Sequence, residues 1–392
     1  MNPVLAICGL ATFASTLFIR LTDPIVPQIA MDLAVAPHSV ALLSTAFAVP
    51  WAIAQPVLGP AGDIFGKQRV MLAGMVMLVI TAMIAAFAVN YWMLLASRVM
   101  AGAAAAGVFP IAMALVGDTV PMHQRQLAIG RVLMTSLAGM LLGASAAGIL
   151  ADWVGWRGVF IAAASIGLLA CVVMAFGLRS IADTRTTAAR FDSIIANYAT
   201  ILRNPRSKVC YGAVFIEGIA VFGIMPFIAL LLSSGGEPRA SIAGLVVAGF
   251  AVGGLIFTAL VAVLLSRFTQ RQFMAGGGLF VAAGLFLMGL APAWQGQLLA
   301  MGVVGFGFYM LHSSIQVQMT ELAPQSRGTA AALHSFCFFS GQALGPILYG
   351  FGIVTAGTLA TCAVGALLII GVGLVTARML GSPALPPAVA GK

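Results

Sequence analysis

Apolar stretches long enough to cross a lipid bilayer recur along the whole chain. A transmembrane helix needs about 20 mostly apolar residues to cross a hydrocarbon core roughly 30 Å thick. Only 7% of the 392 residues are charged, whereas soluble proteins carry about 25%. The sequence therefore predicts a multi-pass membrane protein. Its twelve predicted spans are 3–22, 39–61, 70–89, 91–117, 126–150, 157–178, 208–233, 240–266, 272–291, 295–320, 328–351 and 354–377.

The spans are predicted to be α-helices, because strands of a membrane barrel would alternate apolar and polar residues instead of forming continuous apolar runs. No P-loop, nucleophile elbow or kinase signature occurs, which excludes an ATP-driven pump in one chain and most enzyme classes. We therefore expect no enzyme activity and no cofactor. We also expect no metal site and no disulfide, because neither the histidines nor the cysteines show the spacing that such sites need.

The lysine and arginine residues indicate how the chain is oriented. If both termini lie on one side of the membrane, only Arg157 and Arg239 of the loop residues fall on the other side. Because basic loops stay in the cytoplasm, both termini are predicted to be cytoplasmic. The net charge of +9 then reflects topology, and nucleic acid is not an expected partner. The basic residues of the cytoplasmic side are Lys67, Arg69, Arg125, Arg131, Arg179, Arg185, Arg190, Arg203, Arg206, Lys208, Arg267, Arg271, Arg327, Arg378 and Lys392.

A repeat divides the chain into two halves of six helices each. Several residues of the first half recur with the same type 202 positions later. An even number of spans in each half makes the repeat parallel, and a solute site is expected at the interface between the halves. The glycines among the repeated residues are expected to let helices pack closely. The repeated pairs are Arg69 and Arg271, Gly74 and Gly276, Trp92 and Trp294, Arg125 and Arg327, Gly139 and Gly341, Gly143 and Gly345, and Gly148 and Gly350.

The predicted domains are an N-terminal six-helix bundle at 1–178, a linker at 179–207, a C-terminal six-helix bundle at 208–378 and a cytoplasmic tail at 379–392. The linker is the longest polar segment. Apolar residues from Phe191 to Leu202 recur in it at helical spacing, which predicts an amphipathic helix on the inner membrane surface. We expect the linker to be a tether, and a regulatory or partner site is the alternative.

A few ionisable residues lie inside predicted spans, where a charge costs about 2.5 to 3.5 kcal/mol on insertion scales. Glu217 lies about 13 Å beyond Lys208 along helix 7, and is the leading candidate for carrying a proton. A structural ion pair or solvation in a pore are its alternative roles. Arg20 and Asp23, three residues apart in helix 1, are predicted to pair. Asp23 is then a proton or substrate site, or only the partner of Arg20, or a residue solvated in the outer leaflet.

Helices 10 and 11 carry histidines, whose usual pKa near 6.5 suits proton relay. His312 and Gln316 share one face of helix 10, and His334 lies seven residues beyond Arg327 in helix 11. No acidic residue lies within sequence reach of either histidine. Both are therefore weaker candidates than Glu217 for a proton-coupling or substrate site.

The stretch between helices 2 and 3, "GPAGDIFGKQRV" (59–70), resembles the loop signature of the major facilitator superfamily. Gln68 departs from that signature at a position that is often basic. The resemblance implies an all-α membrane fold in which twelve helices form two pseudo-symmetric six-helix bundles. The residues that match the signature are Gly59, Asp63, Gly66, Lys67 and Arg69.

The resemblance also implies a cytoplasmic gate. In the family, the aspartate equivalent to Asp63 latches the two halves together and shares a network with an acidic residue at the end of helix 4, here Asp118. Gly62 and Gly66 permit a tight turn, and the N-terminus of helix 11 offers unpaired N–H groups that favour an anion. Alternatively, the basic residues here only fix the orientation. The predicted gate comprises Gly59, Asp63, Gly66, Lys67, Arg69, Asp118 and Arg327.

Two further stretches resemble signatures of twelve-helix drug/proton antiporters. Residues 22–33 resemble the end of helix 1, and residues 97–118 resemble the helix 4 signature with its buried arginine, here Arg98. The implied role of Arg98 is to tune a titrating acid or to contact substrate. A hydrogen bond to helix 1 that only secures packing is the alternative.

Residues 139–160 are similar to the helix 5 antiporter signature with one departure. The expected Gly-Pro is Gly143-Ala144 here, whereas helix 11 keeps it as Gly345-Pro346. Since that signature marks antiport in the family, the departure weakens the inference of efflux without reversing it.

These features predict a proton-coupled secondary transporter of the bacterial inner membrane. It is expected to export a small amphipathic organic compound by alternating access and to work as a monomer, with the proton as coupling ion. Transport of an acidic solute such as a siderophore or organic acid is the main alternative, which Arg20 and Arg98 favour. A transporter-like sensor or scaffold is a further alternative.

Overall fold

A computed structural model describes residues 3–178, 199–291, 293–322 and 327–381. Within these ranges the side chains at 56–61, 63–64, 122–127, 133, 320–322 and 327–329 are not described. The described residues contain eleven segments that are long and apolar enough to cross a membrane. One of them, Ala128–Gly177, has 50 residues, or about 75 Å of helix, which is enough for two crossings. Twelve membrane-spanning helices result, labelled α1 to α12.

The two halves have the same order of helices. In the first half, α1 comprises Pro3–Arg20, a 3-10 turn at Asp23–Ile25 and Val26–Asp32; α2 is Pro37–Phe65; α3 is Lys67–Ala86; α4 comprises Tyr91–Ala105 and Val108–Thr119; and α5 and α6 are the parts of Met122–Gly177 before and after Gly155. In the second half, α7 comprises Pro205–Phe222, a 3-10 turn at Met225–Phe227 and Ile228–Ser234; α8 is Ala240–Arg267; α9 is Gln270–Leu290; α10 is Trp294–Leu322; α11 is Arg327–Ala356; and α12 is Thr358–Met379.

Glycines in the left-handed backbone region make the sharpest reversals of the chain. Gly155, with φ of 70°, joins α5 to α6, and Gly357, with φ of 83°, joins α11 to α12. These two glycines lie 202 positions apart and so extend the repeat. Gly66, with φ of 97°, is the single residue between α2 and α3. The expectation that Gly62 also forms this turn is wrong, because Gly62 lies inside α2.

The first helix of each half is broken in the same way. The 3-10 turns Asp23–Ile25 and Met225–Phe227 are 202 positions apart, and each has proline as its second residue. Proline is tolerated in the first turn of a helix, where its missing N–H has no intrahelical partner in any case. The chain therefore resumes a helix after each turn, and α1 extends to Asp32 rather than ending at 22 as predicted.

Glycines bring helices of the same half into backbone contact, as their spacing predicts. A side chain at Gly139 of α5 would collide with the carbonyl oxygen of Phe13 in α1. A side chain at Gly341 of α11 would collide with the carbonyl oxygen of Phe215 in α7. Phe215 is the repeat equivalent of Phe13. The repeat therefore preserves the packing of α5 on α1 as that of α11 on α7.

The two halves meet along α2 and α11. The hydroxyl of Thr45 in α2 donates a hydrogen bond to the carbonyl oxygen of Ala343 in α11, at 2.7 Å. Deeper along the same helices, the rings of Trp51 and Phe339 lie 5.2 Å apart. The first contact lies toward the end predicted to be outside, and the second lies nearer the middle of the membrane.

The halves also meet along α5 and α8, at the end of the molecule that the basic residues predict to be outside. A side chain at Gly148 of α5 would collide with the carbonyl oxygen of Ala240 in α8. The Asp152 carboxylate accepts hydrogen bonds from the backbone N–H groups of Ala240 and Ser241, at 2.9 and 3.0 Å. A helix N-terminus offers unpaired N–H groups and a partial positive charge. Asp152 therefore ties one half to the first turn of a helix in the other.

Most of the predicted linker lies outside the described residues. Its last part, 199–203, is helical. Asn204 caps the next helix by accepting a hydrogen bond from the N–H of Arg206, at 3.0 Å, so that α7 begins at Pro205 rather than at 208. Residues 382–392 of the predicted tail also lie outside the described part.

The glycine contacts predict a loss of stability when a methyl group is added. In Gly341→Ala, the new Cβ would collide with the carbonyl oxygen of Phe215, and such overpacking costs typically 1–3 kcal/mol. Gly117→Ala is the matched control, because a Cβ there meets nothing within 4 Å. Thermal unfolding in detergent should show a lower Tm for the first variant only. Equal Tm values in the two variants would contradict the close packing of α11 on α7.

Candidate functional site

The break in α1 places two opposite charges side by side in the interior. Arg20 ends the first part of α1 and Asp23 begins the 3-10 turn, and both are buried. Arg20 Nη1 lies 3.3 Å from Asp23 Oδ2, as the three-residue spacing predicts. The hydroxyl of Ser44 in α2 donates a hydrogen bond to Asp23 Oδ1, at 2.7 Å. Both oxygens of this buried carboxyl therefore have partners.

Arg20 also bridges the two halves. Its Nη2 donates a hydrogen bond to Gln342 Oε1 in α11, at 2.6 Å. Its guanidinium carbon lies 4.6 Å from the centre of the Phe222 ring in α7, within the range of a cation–π contact. Arg20 Nε is buried and has no hydrogen-bond partner. The guanidinium therefore touches the second half through two helices.

Arg98 of α4 is fully buried within the first half. Its Nη2 donates a hydrogen bond to the carbonyl oxygen of Phe18 in α1, at 2.9 Å, and its guanidinium carbon lies 4.3 Å from the centre of the Phe47 ring. Its Nε is buried without a partner. This hydrogen bond to α1 is the packing contact that the sequence analysis gives as the alternative role of Arg98. The Nε–H group has no partner and could donate a hydrogen bond to another group.

Glu217, which is buried, and His312, which is partly buried, form a pair in the second half. Glu217 of α7 has no exposed surface, and its Oε2 lies 2.8 Å from His312 Nδ1 of α10. The other carboxyl oxygen, Oε1, is buried without a hydrogen-bond partner. The expectation that His312 has no acidic neighbour holds only for the local sequence, because its partner lies 95 positions earlier.

His334 of α11 extends this pair. Its ring lies 5.1 Å from that of His312, edge to face, and its Nε2 is buried without a partner. The ring of Phe308 stacks on His312 at 4.8 Å, and that of Phe338 lies 5.0 Å away. Three helices therefore place a carboxyl and two imidazoles in one aromatic environment.

Aromatic rings connect the two charged groups. The Phe222 ring contacts the Arg20 guanidinium. Its centre lies 5.4 Å from the ring centres of both Phe308 and Phe338, in edge-to-face arrangements. Those two rings contact His312. The Arg20 and Glu217 groups are thus separated by a layer of phenyl rings.

A small cavity lies between the halves at this level. A cavity of about 10 Å³ lies among residues of α1, α2 and α11, which is room for about one water molecule. Little space is therefore left between α1, α2 and α11 at this point. The lining residues are Ile19, Arg20, Ser44, Phe47, Ala48, Phe339 and Gln342.

The predicted gate lies partly outside the described residues. The side chains of Asp63 and Arg327 are not described, and Gly59 lies in α2. Lys67 Nζ lies 2.6 Å from Asp118 Oδ2, so these two residues pair within the first half. Arg69 is exposed, as is Gln316 of α10. The gate therefore stays a prediction.

Sequence reasoning missed Ser44, Asp152 and Gln342. Gln342 follows the packing glycine Gly341 and is an amide inside an apolar helix, which is a recognisable signal for a buried hydrogen bond. Ser44 and Asp152 carry no such signal, because hydroxyls and terminal acids are common in helices.

Comparisons with known proteins agree with this architecture. The sequence is 26% identical to the quinolone resistance protein NorA of Staphylococcus aureus over 356 residues, 89% of this chain and 90% of that protein. It is 24% identical to multidrug resistance protein 2 of Bacillus subtilis (strain 168) over 349 residues, 86% of each.

Two solved structures share the fold. A POT family transporter crystallised with 5-aminolevulinic acid superposes with a TM-score of 0.78 over 95% of this chain and 94% of that one, at 14% identity. A bacterial homologue of the human lysosomal transporter Spinster, inward-facing and unoccupied, superposes with a TM-score of 0.72 over 96% of this chain and 94% of that one, at 16% identity. The model of the Major Facilitator Superfamily matches residues 8–346 and, again, 210–391. The chain belongs to the Major Facilitator Superfamily, a family of membrane transporters.

Proposed function

We propose that the protein is a proton-coupled exporter of small amphipathic organic compounds in the bacterial inner membrane, with both termini in the cytoplasm. The efflux role is supported by the similarity to the quinolone resistance protein NorA and to multidrug resistance protein 2. The orientation is supported by the distribution of basic residues.

The observation that carries the proton coupling is the Glu217–His312 pair, in which the carboxyl is buried and the imidazole is 16% exposed. With one proton between them, the two groups are either both neutral or oppositely charged, so the pair has no net charge. Gaining or losing a proton leaves one uncompensated charge, which is costly in a buried site. Water reaching the pair from one side at a time lowers that cost. The pair is therefore suited to take up a proton in one conformation and release it in another.

The aromatic surroundings support an amphipathic substrate. Five rings form an aromatic wall in which each ring centre lies within 6.0 Å of at least two others. They belong to Phe222, Phe250, Phe308, Tyr309 and Phe338. Phenyl faces bind apolar surface and attract cations. When the halves separate, this wall and the Glu217 carboxyl become parts of one surface.

An acidic substrate is supported less well by the geometry. Arg20 and Arg98 would be its anchors, but each guanidinium already has partners, Asp23 and Gln342 for Arg20 and the Phe18 carbonyl for Arg98. A carboxylate would have to displace these contacts. This alternative is tested by the same experiment as the main proposal.

Alternating access requires the contacts between halves to break in turn. Asp152 on the first turn of α8 and Thr45 on Ala343 hold the predicted outer side together. Opening to the outside separates these atoms, whereas opening to the cytoplasm leaves them in place. They therefore form the outer gate of the proposed cycle.

We expect Glu217→Gln to abolish coupling, because an amide of the same size cannot exchange a proton. In proteoliposomes with an acidic lumen, the unsubstituted protein should accumulate a lipophilic cationic drug, and the variant should transport no faster than without a gradient. Glu237→Gln is the matched control. Glu237 lies in the loop between α7 and α8, where the Arg239 guanidinium, 2.7 Å away, lowers the pKa of that carboxyl.

Two outcomes would contradict this proposal. Gradient-driven accumulation that persists in Glu217→Gln would remove Glu217 from the coupling mechanism. Accumulation of carboxylates or siderophores but of no cationic drug would favour the acidic-solute alternative.

We expect Asp152→Ala to favour the outward-open state, because it removes both acceptors from the first turn of α8. Loss of such a helix cap costs typically 0.5–2 kcal/mol, so the ratio of outward-open to closed protein should rise about 2- to 30-fold. Distances between spin labels at positions 89 and 234, in a cysteine-free background, report this population. Glu237→Ala serves as the control at the same end, and an unchanged distance distribution in Asp152→Ala would rule out the latch.

A further inference from the structure

A groove opens between α7 and α12 on the membrane-facing surface. Its volume is about 530 Å³, within the range of about 300–1,000 Å³ typical of ligand sites. The lining is apolar except near one end, where Lys208 stands at the start of α7. We call it the α7–α12 groove; its main lining residues are Lys208, Val209, Gly212, Ile216, Leu367 and Gly371.

Two glycines keep this groove open. A Cβ added at Gly212 or at Gly371 would meet nothing within 4 Å. This distinguishes them from Gly139 and Gly341, where a Cβ would collide with a neighbouring helix. Gly212 and Gly371 are thus not needed for helix packing, and their missing side chains create space on the surface.

Basic side chains stand at the same end of both helices. Lys208 lies four residues before Gly212, one turn away on the same face of α7. Arg378 lies seven residues after Gly371, two turns away on the same face of α12. Both side chains are exposed. By this spacing, an ammonium group on α7 and a guanidinium group on α12 lie toward the same end of the groove, which is predicted to be cytoplasmic.

The groove continues along α12 toward the opposite membrane surface. A second cavity, of about 290 Å³, shares Val364 and Leu368 with it and is lined by residues of α7, α11 and α12. The hydroxyl of Tyr349 points inward there and donates a hydrogen bond to the Ala220 carbonyl, at 2.7 Å. The continuous surface is long, narrow and apolar, which suits a hydrocarbon chain.

We propose that the α7–α12 groove binds one anionic phospholipid. An acyl chain lies between the two helices over Gly212 and Gly371, and the headgroup phosphate lies between Lys208 and Arg378. Basic pockets between transmembrane helices on the cytoplasmic side recognise anionic headgroups, and a guanidinium binds phosphate oxygens in a bidentate manner. The proposal is independent of the transported substrate and of its direction.

Native mass spectrometry of the detergent-purified protein tests the headgroup. Phosphatidylglycerol and phosphatidylcholine with identical acyl chains are added separately, and the retained lipid is counted. We expect one phosphatidylglycerol to be retained in preference to phosphatidylcholine. In Lys208→Gln and in Arg378→Gln, that binding should weaken about fivefold per charge removed, while phosphatidylcholine binding stays unchanged. Both residues are exposed, so these variants should fold.

Filling the groove tests the acyl-chain site. Gly371→Leu should lose the retained phosphatidylglycerol, and Gly212→Leu should do the same from the facing helix. Gly117→Leu is the matched control, because a Cβ at Gly117 of α4 also meets nothing within 4 Å. Its lipid retention should equal that of the unsubstituted protein, and equal Tm values verify that the variants are folded.

Three outcomes would overturn the proposal. Equal retention of the two lipids by the unsubstituted protein would show ordinary boundary lipid without headgroup recognition. Unchanged retention in folded Gly371→Leu and Gly212→Leu would place the lipid elsewhere. Displacement of the lipid by a transported drug would identify the groove as a substrate path instead.

Discussion

The cost of placing charge inside a bilayer decides where the ionisable residues of this protein lie. An uncompensated charge at mid-helix costs about 2.5 to 3.5 kcal/mol even on insertion scales. Asp23, Glu217 and Arg98 each meet a polar or oppositely charged group from another helix or from the break in α1. Because these partners lie on different helices, the interior contacts and the helix arrangement depend on each other. Two of the buried atoms that remain without partners, Glu217 Oε1 and His334 Nε2, belong to residues that flank His312.

The repeat preserves the backbone but not the chemistry. A shift of 202 residues superposes the broken helices α1 and α7, the reversing glycines and the glycine contacts. The same shift replaces Arg20 by Phe222 and Asp23 by Met225, and it places Ser15 at the position of Glu217. Arg20 and Phe222, which are equivalent by the repeat, contact each other across the interface. They therefore lie close to the pseudo-twofold axis, and the polar groups on either side of that axis differ.

The sequence predicts the helices well and the site only locally. Apolar runs and glycines determine the twelve spans, because both act within a few turns of one helix. The pairing of Arg20 with Asp23 is also local, since three residues place them together at the break. The partners of Glu217 and Arg20 lie 95 and 322 positions away, and no periodicity within a single helix indicates which helices will face each other. The predicted end of α1 at residue 22 is wrong for a related reason. Pro24 breaks the helix, but whether a helix resumes beyond it depends on packing against other helices.

The contact between Arg20 and Phe222 offers a physical link between proton binding and opening in the proposed cycle, for the case in which the Glu217–His312 pair takes up a second proton. The pair then carries a positive charge on the far side of the phenyl layer from Arg20. Two positive charges in a medium of low dielectric constant repel each other. Separating the halves admits water between the two positive charges and breaks the hydrogen bond from Arg20 to Gln342. The loss of this hydrogen bond is offset because water then hydrates both side chains. The same separation exposes the aromatic wall, so that proton uptake and access to the apolar site favour the same conformation.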